Sequence, residues 1–203
     1  MEVLIRKPRD QKEYEEKINF CITEVDRLNH MVDQLLLLAR FENQKQNVKQ
    51  ETIYLNALVL DNLTRFSEKS ENKKLKIKTE FTEDYYLISD NYLVSIIISN
   101  LISNAIKYSN PNGEIAIELG KTNDEVTFSI TDYGVGIAKN DLDKIFNSFY
   151  RSDVSNHPEI KGTGLGLSIV KRLCDLLRIK ISVESRINEK TKFILQFSSA
   201  KLK

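Results

Sequence analysis

The sequence of 203 residues predicts an α/β protein, a two-layer sandwich in which a mixed sheet packs on helices, preceded by one long N-terminal helix. Three observations predict this fold. Residues 13–43 lack Gly and Pro and repeat apolar residues with a heptad spacing. Beyond residue 50, short segments that alternate apolar and polar residues predict strands. Between them lie segments with one apolar face at the helical period, which predict helices that cover the sheet.

The long helix is predicted from Glu13 to Asn43. Its apolar residues follow steps of four and three, the spacing of a coiled-coil seam. The seam comprises Tyr14, Ile18, Cys21, Val25, Leu28, Val32, Leu35 and Ala39. Leu36 and Leu38 widen the stripe, which favours a bundle of several helices. The alternative is a solvated helix that lies on its own domain.

The remaining elements follow a polar linker at residues 43–50. We predict strands at Thr52–Leu55, Leu75–Phe81, Tyr85–Ser89, Glu114–Leu119, Glu125–Thr131, Ile179–Glu184 and Lys192–Phe197. We predict helices at Asn56–Lys69, from the capping residue Asp90 to about Tyr108, near Leu142, and at Gly164–Leu177. The first twelve residues, with Pro8, resemble the tail of a preceding helix followed by a turn.

The composition limits the classes of function. With 30 basic and 29 acidic residues, the net charge is +1, so the chain lacks the strong field that recruits nucleic acid or an anionic membrane. Cys21 and Cys174 are far apart and fit neither a zinc site nor a disulfide framework, which favours a reducing cytosol. The longest apolar run, Leu35 to Ala39, is too short for a membrane span, although a longer parent protein can still carry one.

One predicted helix carries polar residues along an otherwise apolar surface. Asn100, Asn104, Lys107 and Tyr108 share one face at helical spacing. An amide oxygen is a hard ligand suited to magnesium, and a lysine ammonium suits a phosphate. The alternative is a polar face that meets solvent.

A second segment, Asp132-Tyr-Gly134-Val-Gly136-Ile137, directly follows a predicted strand. Glycines permit backbone angles and close approaches that other residues forbid. A carboxylate here can accept a hydrogen bond from an exocyclic amine such as that of adenine. The alternative is an ordinary turn at the end of a strand.

A third segment opens a predicted helix with Gly162, Gly164 and Gly166, separated by Thr163 and Leu165. Glycine-rich backbone at a helix N-terminus exposes amide donors and the positive end of the helix dipole, which together cradle phosphate. The spacing G-x-G-x-G, without a strand immediately before it, excludes the dinucleotide-binding fingerprint.

The fourth segment contains Phe146, Phe149 and Tyr150 and ends at Arg151. We expect Phe146 and Phe149 to pack in the core. Arg151 precedes a polar, irregular stretch, from which its guanidinium can reach a terminal phosphate.

In this order and spacing, the four segments resemble the N, first glycine, F and second glycine boxes of sensor histidine kinases, within the wider GHKL group of ATPases and kinases. The resemblance covers roughly residues 50–197 and implies a Bergerat-type ATP-binding fold. Residues 13–43 resemble the second helix of that family's dimerisation and phosphotransfer hairpin, especially around Arg27 and from Leu35 to Arg40.

The resemblance divides the chain into two expected domains. Residues 1–45 would be a partial hairpin, comprising the end of the first helix, a turn and the second helix. Residues 46–203 would be the catalytic domain, with a lid near residues 151–162 that becomes ordered when nucleotide binds.

The resemblance also implies roles for the matching residues. Asn104 would hold Mg²⁺, and Asp132 would bind the adenine amine of ATP. The implied catalytic residues are Asn100, Lys107 and Arg151. The implied nucleotide-binding residues are Asn100, Asn104, Lys107, Tyr108, Asp132, Gly134, Gly136, Ile137, Gly162, Thr163, Gly164, Leu165 and Gly166.

Two departures from the family pattern stand out. The family often has glycines before its last strand, where this chain has residues 188–193. We expect that hairpin to lie remote from the four segments and to affect binding little. The family's phosphate acceptor lies in a His-Glu-x-x-Arg-Thr-Pro segment, which is absent here. His30 lies off the heptad seam and His157 in the expected lid, so neither is expected to accept phosphate.

We therefore expect these 203 residues to bind ATP or ADP but not to phosphorylate themselves, as a natural truncation or an engineered fragment. The parent protein would transfer the γ-phosphate to a histidine of the first hairpin helix, for relay to an aspartate of a response regulator receiver domain. It would form a homodimer through the hairpin helices and contact no nucleic acid directly. Its catalytic part would be cytoplasmic, with the parent anchored in the inner membrane.

Two other classes of function remain open. A GHKL ATPase of the gyrase or chaperone type uses a glutamate one helical turn before the metal-binding asparagine to activate water. Asn100 occupies that position and cannot act as a base, so we expect slow hydrolysis. A non-enzymatic nucleotide sensor or dimerisation adaptor is the other alternative.

Overall fold

A computed structural model describes residues 10–42, 48–122, 125–152 and 162–198. The chain forms two compact units, Met1–Gln44 and Lys45–Lys203. Within the described residues of the first unit, Gln11–Glu42 form helix α1. The Asp10 carboxylate accepts a hydrogen bond from the Glu13 amide at 2.8 Å, which satisfies a free amide of the first turn. The predicted N-terminal helix is therefore confirmed.

Four residues of the predicted seam are exposed on α1. Ile18, Val25, Leu28 and Val32 are each more than half exposed. None of the helices in the described ranges is both long and apolar enough to cross a membrane.

The second unit is built around a five-stranded sheet with the order β2-β4-β5-β7-β6. Its strands are β2 (Lys76–Phe81), β4 (Glu114–Thr122), β5 (Glu125–Asp132), β6 (Ile179–Arg186) and β7 (Lys190–Phe197). Strands β2 and β4 are parallel, and the other pairs are antiparallel. A separate antiparallel pair joins β1 (Glu51–Tyr54) to β3 (Tyr86–Ser89). The sheet is mixed, as predicted.

Helices form the second layer. They are α2 (Leu55–Thr64), α3 (Ser67–Asn72), α4 (Asn91–Tyr108) and α5 (Gly166–Leu177). Helix α4 contacts β5, and α5 contacts both α4 and β6. Fully buried Ile97 and Leu101 of α4, Phe128 of β5 and Leu173 of α5 belong to the core. The predicted two-layer α/β sandwich is therefore confirmed.

Helix α4 begins where its sequence indicates. The Asp90 carboxylate accepts a hydrogen bond from the Leu93 amide at 3.1 Å, as expected of a capping residue. Ile97, Ile98, Leu101 and other apolar residues of this helix are buried, whereas Asn100 and Asn104 are half-buried. The polar face predicted from the spacing is therefore present on a buried helix.

Two predicted helices are interrupted or shortened. The helix expected over residues 56–69 is divided between α2 and α3, and the Ser67 hydroxyl donates to the Thr64 carbonyl at the break. The short helix expected near Leu142 is a single 3₁₀ turn at Lys139–Asp141. The helix predicted from Gly164 begins two residues later, at Gly166 in α5. Gly164 has a φ of +74°, which a right-handed helix cannot accommodate.

Candidate functional site

A cavity of about 430 Å³ lies where the ends of several elements meet. The end of α4, the end of β5 and its following loop, the start of α5 and the β6–β7 turn all contribute to its wall. The lining residues are Asn104, Tyr108, Asp132, Val135, Gly136, Ile137, Ala138, Asp141, Ile145, Tyr150, Arg151, Ser152, Leu167, Ile187, Asn188, Thr191 and Phe193. Apolar side chains share the wall with a few polar groups, as is typical of small-molecule sites.

Asp132 is the buried carboxylate of this cavity, with 4% of its surface exposed. The Gly134 amide donates a hydrogen bond to it. Its Oδ1 atom has no hydrogen-bond partner among the residues that the structure describes. Burial raises its pKa from 3.8 to about 7, while the Lys73 charge and the Gly134 amide act in the opposite direction. A buried acceptor at a cavity wall is suited to a donor from a bound molecule.

The loop after β5 packs closely against other backbone. Gly134 forms a bridge with Ser109, and a Cβ at Gly134 would overlap the Tyr108 backbone. Gly136 has a φ of +67°, and a Cβ there would overlap the Arg186 carbonyl. Glycine at both positions therefore lets the loop contact the end of α4 and the end of β6.

The β6–β7 turn belongs to the cavity, so the prediction that this hairpin lies remote from the four segments is wrong. Asn188 and Thr191 line the cavity, as do Ile187 and Phe193. The Asn188 amide donates to the Val135 carbonyl at 2.9 Å. The physical reason is strand pairing: β7 lies antiparallel to β5, so the start of β7 adjoins the end of β5.

Ser185 connects the loop to the same hairpin. Its hydroxyl accepts a hydrogen bond from the Ile137 amide at 2.8 Å. It also lies 2.9 Å from both the Lys190 carbonyl and the Thr191 hydroxyl. This hydroxyl therefore holds a cavity-lining amide and a cavity-lining side chain in fixed positions.

The polar residues of α4 divide between two neighbouring surfaces. Asn104 and Tyr108 line the cavity. Asn100 instead approaches Gly166, and its Oδ1 atom lies 2.8 Å from the position of a Cβ there. The Lys107 ammonium lies against Gly162, so a Cβ at that glycine would overlap it. The second glycine segment therefore packs on the polar face of α4.

That segment combines tight backbone contacts with one buried anchor. Gly164 accepts a hydrogen bond from the Phe149 amide at 3.0 Å, and Leu165 is fully buried. The Thr163 hydroxyl accepts a hydrogen bond from the Leu165 amide at 3.3 Å. The residues of this segment that were predicted to bind nucleotide lie beside the cavity lining rather than in it. They are Gly162, Thr163, Gly164, Leu165 and Gly166.

The aromatic segment differs from its prediction. Phe149 is 61% exposed and has a φ of +65°, and Phe146 is only half-buried, so the expected core packing of both rings is wrong. The Phe149 backbone is held by Gly164, and in this left-handed conformation its ring meets solvent. Tyr150 does line the cavity, and its hydroxyl donates to Asp141 at 2.7 Å.

Arg151 lines the cavity together with Tyr108. Burial raises the pKa of the Tyr108 hydroxyl, and the positive charge of Arg151 opposes that effect. The stretch 153–161, which contains His157 and most of the predicted lid, lies outside the described residues, as does the His30 side chain.

Sequence patterns missed much of the wall, including Val135, Asp141, Ile145, Tyr150 and Leu167. Local signals for these residues are weak because each occupies an ordinary loop or apolar position. Across the described ranges, no cluster of three or more His, Cys, Asp or Glu side chains is suited to a metal ion. A cation here would need ligands from a bound molecule or water, besides an amide such as that of Asn104.

A family model described as "Histidine kinase-, DNA gyrase B-, and HSP90-like ATPase" matches residues 89–201. Sensor protein RprX of Bacteroides fragilis is 33% identical over 176 residues, which cover 85% of this chain and 34% of that protein. Sensor protein kinase GraS of Staphylococcus aureus is 33% identical over 190 residues, covering 93% and 54% respectively. The chain thus spans only about a third to a half of the length of these relatives.

Two solved structures are similar in fold. The Acinetobacter baumannii histidine kinase AdeS superposes with a TM-score of 0.76 at 25% identity, covering 96% of this chain and 88% of that one. The histidine kinase ThkA, solved in complex with the response regulator protein TrrA, gives a TM-score of 0.75 at 25% identity. That match covers 95% of this chain and 53% of the ThkA chain.

Proposed function

Because the chain belongs to the histidine kinase-, DNA gyrase B- and HSP90-like ATPase family, as the catalytic ATP-binding domain of a sensor histidine kinase, we propose that the cavity beside Asp132 holds the adenine of ATP. The unpartnered Oδ1 atom of Asp132 carries this proposal. Leaving a buried acceptor unsatisfied costs about 1–3 kcal/mol, and the exocyclic amine of adenine would supply the missing donor.

The surroundings of Asp132 fit a flat aromatic ring. Val135, Ile137, Ile145, Leu167 and Phe193 give the wall apolar surface. Gly136 also lines this wall, where its φ of +67° and its close approach to the Arg186 carbonyl require glycine.

The polar face of α4 and the second glycine segment would hold the phosphates. Lys107 and Arg151 supply positive charge, and Tyr108 supplies a hydroxyl. Gly164 precedes α5 and Gly166 is its first residue, and the free backbone amides of a first helical turn favour anions. Asn100 would support this region from beside Gly166.

Magnesium would be held by Asn104 together with the nucleotide and water. Mg²⁺ usually keeps several waters and few protein ligands, so one amide oxygen at the cavity wall fits this pattern. When bound, the ion supplies positive charge that offsets the charge of the terminal phosphates. The residues of this chain contribute mainly by orienting the nucleotide.

The phosphate acceptor is proposed to lie outside these 203 residues, on a histidine of the first hairpin helix. The only histidines in the sequence are His30 and His157, and neither lies in the acceptor pattern. We expect the parent kinase to pass the phosphoryl group to a response regulator receiver domain. The complex of ThkA with a response regulator supports this choice of partner.

The long helix would serve assembly. Exposed apolar residues at heptad spacing, such as Val25, Leu28 and Val32, favour pairing with helices of a second copy. We therefore propose that α1 belongs to a partial hairpin over residues 1–45, that residues 46–203 form the catalytic domain, and that the parent kinase is a homodimer. The catalytic part is expected in the cytoplasm.

Autonomous ATP hydrolysis is disfavoured by Asn100. Its Nδ2 atom donates to the Ile96 carbonyl at 2.9 Å, and an amide cannot remove a proton from water. A hydrolysis rate typical of dedicated ATPases would favour the alternative class.

Transfer in trans tests the kinase activity. The 203-residue chain, mixed with labelled ATP, Mg²⁺ and a separate hairpin that contains the acceptor histidine, should label the hairpin and not itself. Labelling at subsaturating ATP should fall when Asp132 is replaced by Asn, because this variant is expected to bind ATP more weakly. Failure of the unaltered chain to label any acceptor while binding ATP would restrict the proposal to nucleotide binding.

A further inference from the structure

Lys73 lies outside the four sequence segments but touches the helix that carries one of them. It is half-buried and immediately follows α3. Its ammonium donates hydrogen bonds to the carbonyls of Ile106 at 3.0 Å and Lys107 at 2.8 Å. These carbonyls belong to the last turn of α4, where carbonyls lack partners within the helix and a cation is favoured.

The backbone of Lys73 is attached to the same region. Its carbonyl accepts a hydrogen bond from the Asn112 amide at 3.0 Å, and the neighbouring Lys76 amide donates to Gly113 at 2.9 Å. Lys73 is therefore bonded both to the last turn of α4 and to the turn that follows it.

The last turn of α4 also contacts the loop beside Asp132. The Tyr108 carbonyl accepts a hydrogen bond from the Val135 amide at 3.2 Å, and Ser109 bridges to Gly134. The position of that turn therefore affects both Tyr108 and the loop that borders the cavity.

The positive charge of Lys73 also stabilises the ionised form of Asp132. It lowers the pKa of this carboxyl and so opposes burial, which raises that pKa by a larger amount. Asp132 pairs across the sheet with the uncharged Ile115 and Thr191. The other ionisable groups that line the cavity are Tyr108, Asp141, Tyr150 and Arg151.

We propose that Lys73 is a positioning residue of the nucleotide site, which fixes the last turn of α4 and supplies positive charge to the surroundings of Asp132. This inference rests on the proposed ATP site. Lys73 touches no nucleotide; it acts through Lys107, Tyr108 and Asp132.

The test is the pH dependence of ATP affinity, measured by calorimetry from pH 5.5 to 9 in the 203-residue chain. In Lys73→Met, the midpoint of the Asp132 titration should rise by about 0.5–1 pH unit, as expected for loss of a nearby opposite charge. ATP should then bind about two- to fivefold more weakly at pH 7, and the difference should shrink by pH 9.

Matched variants separate charge from packing. Lys73→Arg should restore the wild-type profile, whereas Lys73→Gln, which keeps a hydrogen-bond donor without the charge, should move the midpoint like Lys73→Met. Lys76→Met removes an exposed lysine three residues away and should leave the profile unchanged. Asp132→Asn lacks the titrating carboxyl, so its profile gives the pH dependence of ATP affinity that comes from the titration of ATP itself.

Direct titration of the Asp132 carboxyl by ¹³C NMR without nucleotide provides a second readout. A wild-type midpoint of the Asp132 titration in Lys73→Met and Lys73→Gln would overturn the assignment of Lys73, whatever the affinity of these variants for ATP. Absence of ATP binding in the unaltered chain would instead contradict the proposed site, and the inference with it.

Discussion

Asp132 of β5 lies directly opposite Thr191 of β7 in the antiparallel register, and both residues line the same cavity. The hydroxyl of Thr191 lies 2.9 Å from that of Ser185, which accepts a hydrogen bond from the Ile137 amide. The last hairpin is therefore part of the site that contains the buried carboxylate.

Replacing Ser185 by Ala should weaken ATP binding by roughly fivefold, because one hydrogen bond that positions the Ile137 amide is lost at about 1 kcal/mol. Calorimetry with ATP measures the change. Ser182→Ala removes an exposed hydroxyl from the same strand and should have no effect. Equal affinities of the two variants would show that the hairpin does not position the loop.

Replacing Gly136 by Ala should destabilise the second unit by at least about 2 kcal/mol, because a φ of +67° is strained for alanine and its Cβ would overlap the Arg186 carbonyl. Urea denaturation gives the free energy of unfolding. Gly120→Ala is the control, because its Cβ would meet only the flexible Thr127 side chain at 3.2 Å. A Gly136→Ala chain as stable as that control would contradict the close packing of the loop.

Because the pKa of Asp132 is raised, the free energy of unfolding should decrease as the pH rises. Its folded pKa of about 7 exceeds the ordinary value of 3.8, so between these values the folded state holds a proton that the unfolded state has released. That stability is present at pH values below 3.8, declines as the pH rises, and is lost above about 7. The total difference is roughly 4 kcal/mol at 1.4 kcal/mol per pH unit.

Asp132→Asn removes this effect. The stability of the variant relative to wild type should increase from pH 4 to pH 7 and then level off, as measured by urea denaturation at several pH values. Asp143→Asn, which removes an exposed carboxylate, should show no such trend. Parallel stability curves for wild type and Asp132→Asn would contradict the burial of an unsatisfied carboxyl.

Removal of the metal should distinguish Asn104 from Asp132. Asn104→Ala should bind ATP with nearly wild-type affinity in EDTA but should lose most of the improvement that Mg²⁺ gives, because its amide oxygen is the proposed ligand. Asp132→Asn should lose affinity in both conditions. An unchanged response of Asn104→Ala to Mg²⁺ would place the ion elsewhere.

Local sequence patterns were sufficient for features that depend on one helix or one strand. The cap at Asp90 and the polar face of α4 follow from nearby residues and the helical period, and the structure contains both. The glycines of the loop after β5 likewise predict a close backbone contact, but they do not indicate which backbone segment the loop contacts.

Features that depend on pairing of distant segments could not be predicted in this way. Asn188 and Thr191 reach the cavity because β7 pairs with β5, and no local pattern encodes that register. The aromatic ring of Phe149 predicts a core position, but the side chain is exposed. Its backbone is left-handed, and its amide donates a hydrogen bond to the Gly164 carbonyl. No local sequence pattern identifies Lys73, because its ammonium binds carbonyls at the end of a helix more than thirty residues later in the chain.

Calorimetric titration of ATP into wild type and Asp132→Asn at pH 8 tests whether the Asp132 carboxylate binds the adenine of ATP. The carboxylate accepts from the Gly134 amide and from the proposed adenine amine, whereas an asparagine must present an NH₂ group to one of these donors. We predict at least about tenfold weaker binding for Asp132→Asn and no change for Asp143→Asn. Equal affinity of wild type and Asp132→Asn, or no binding of ATP by wild type at millimolar concentration, would contradict the account.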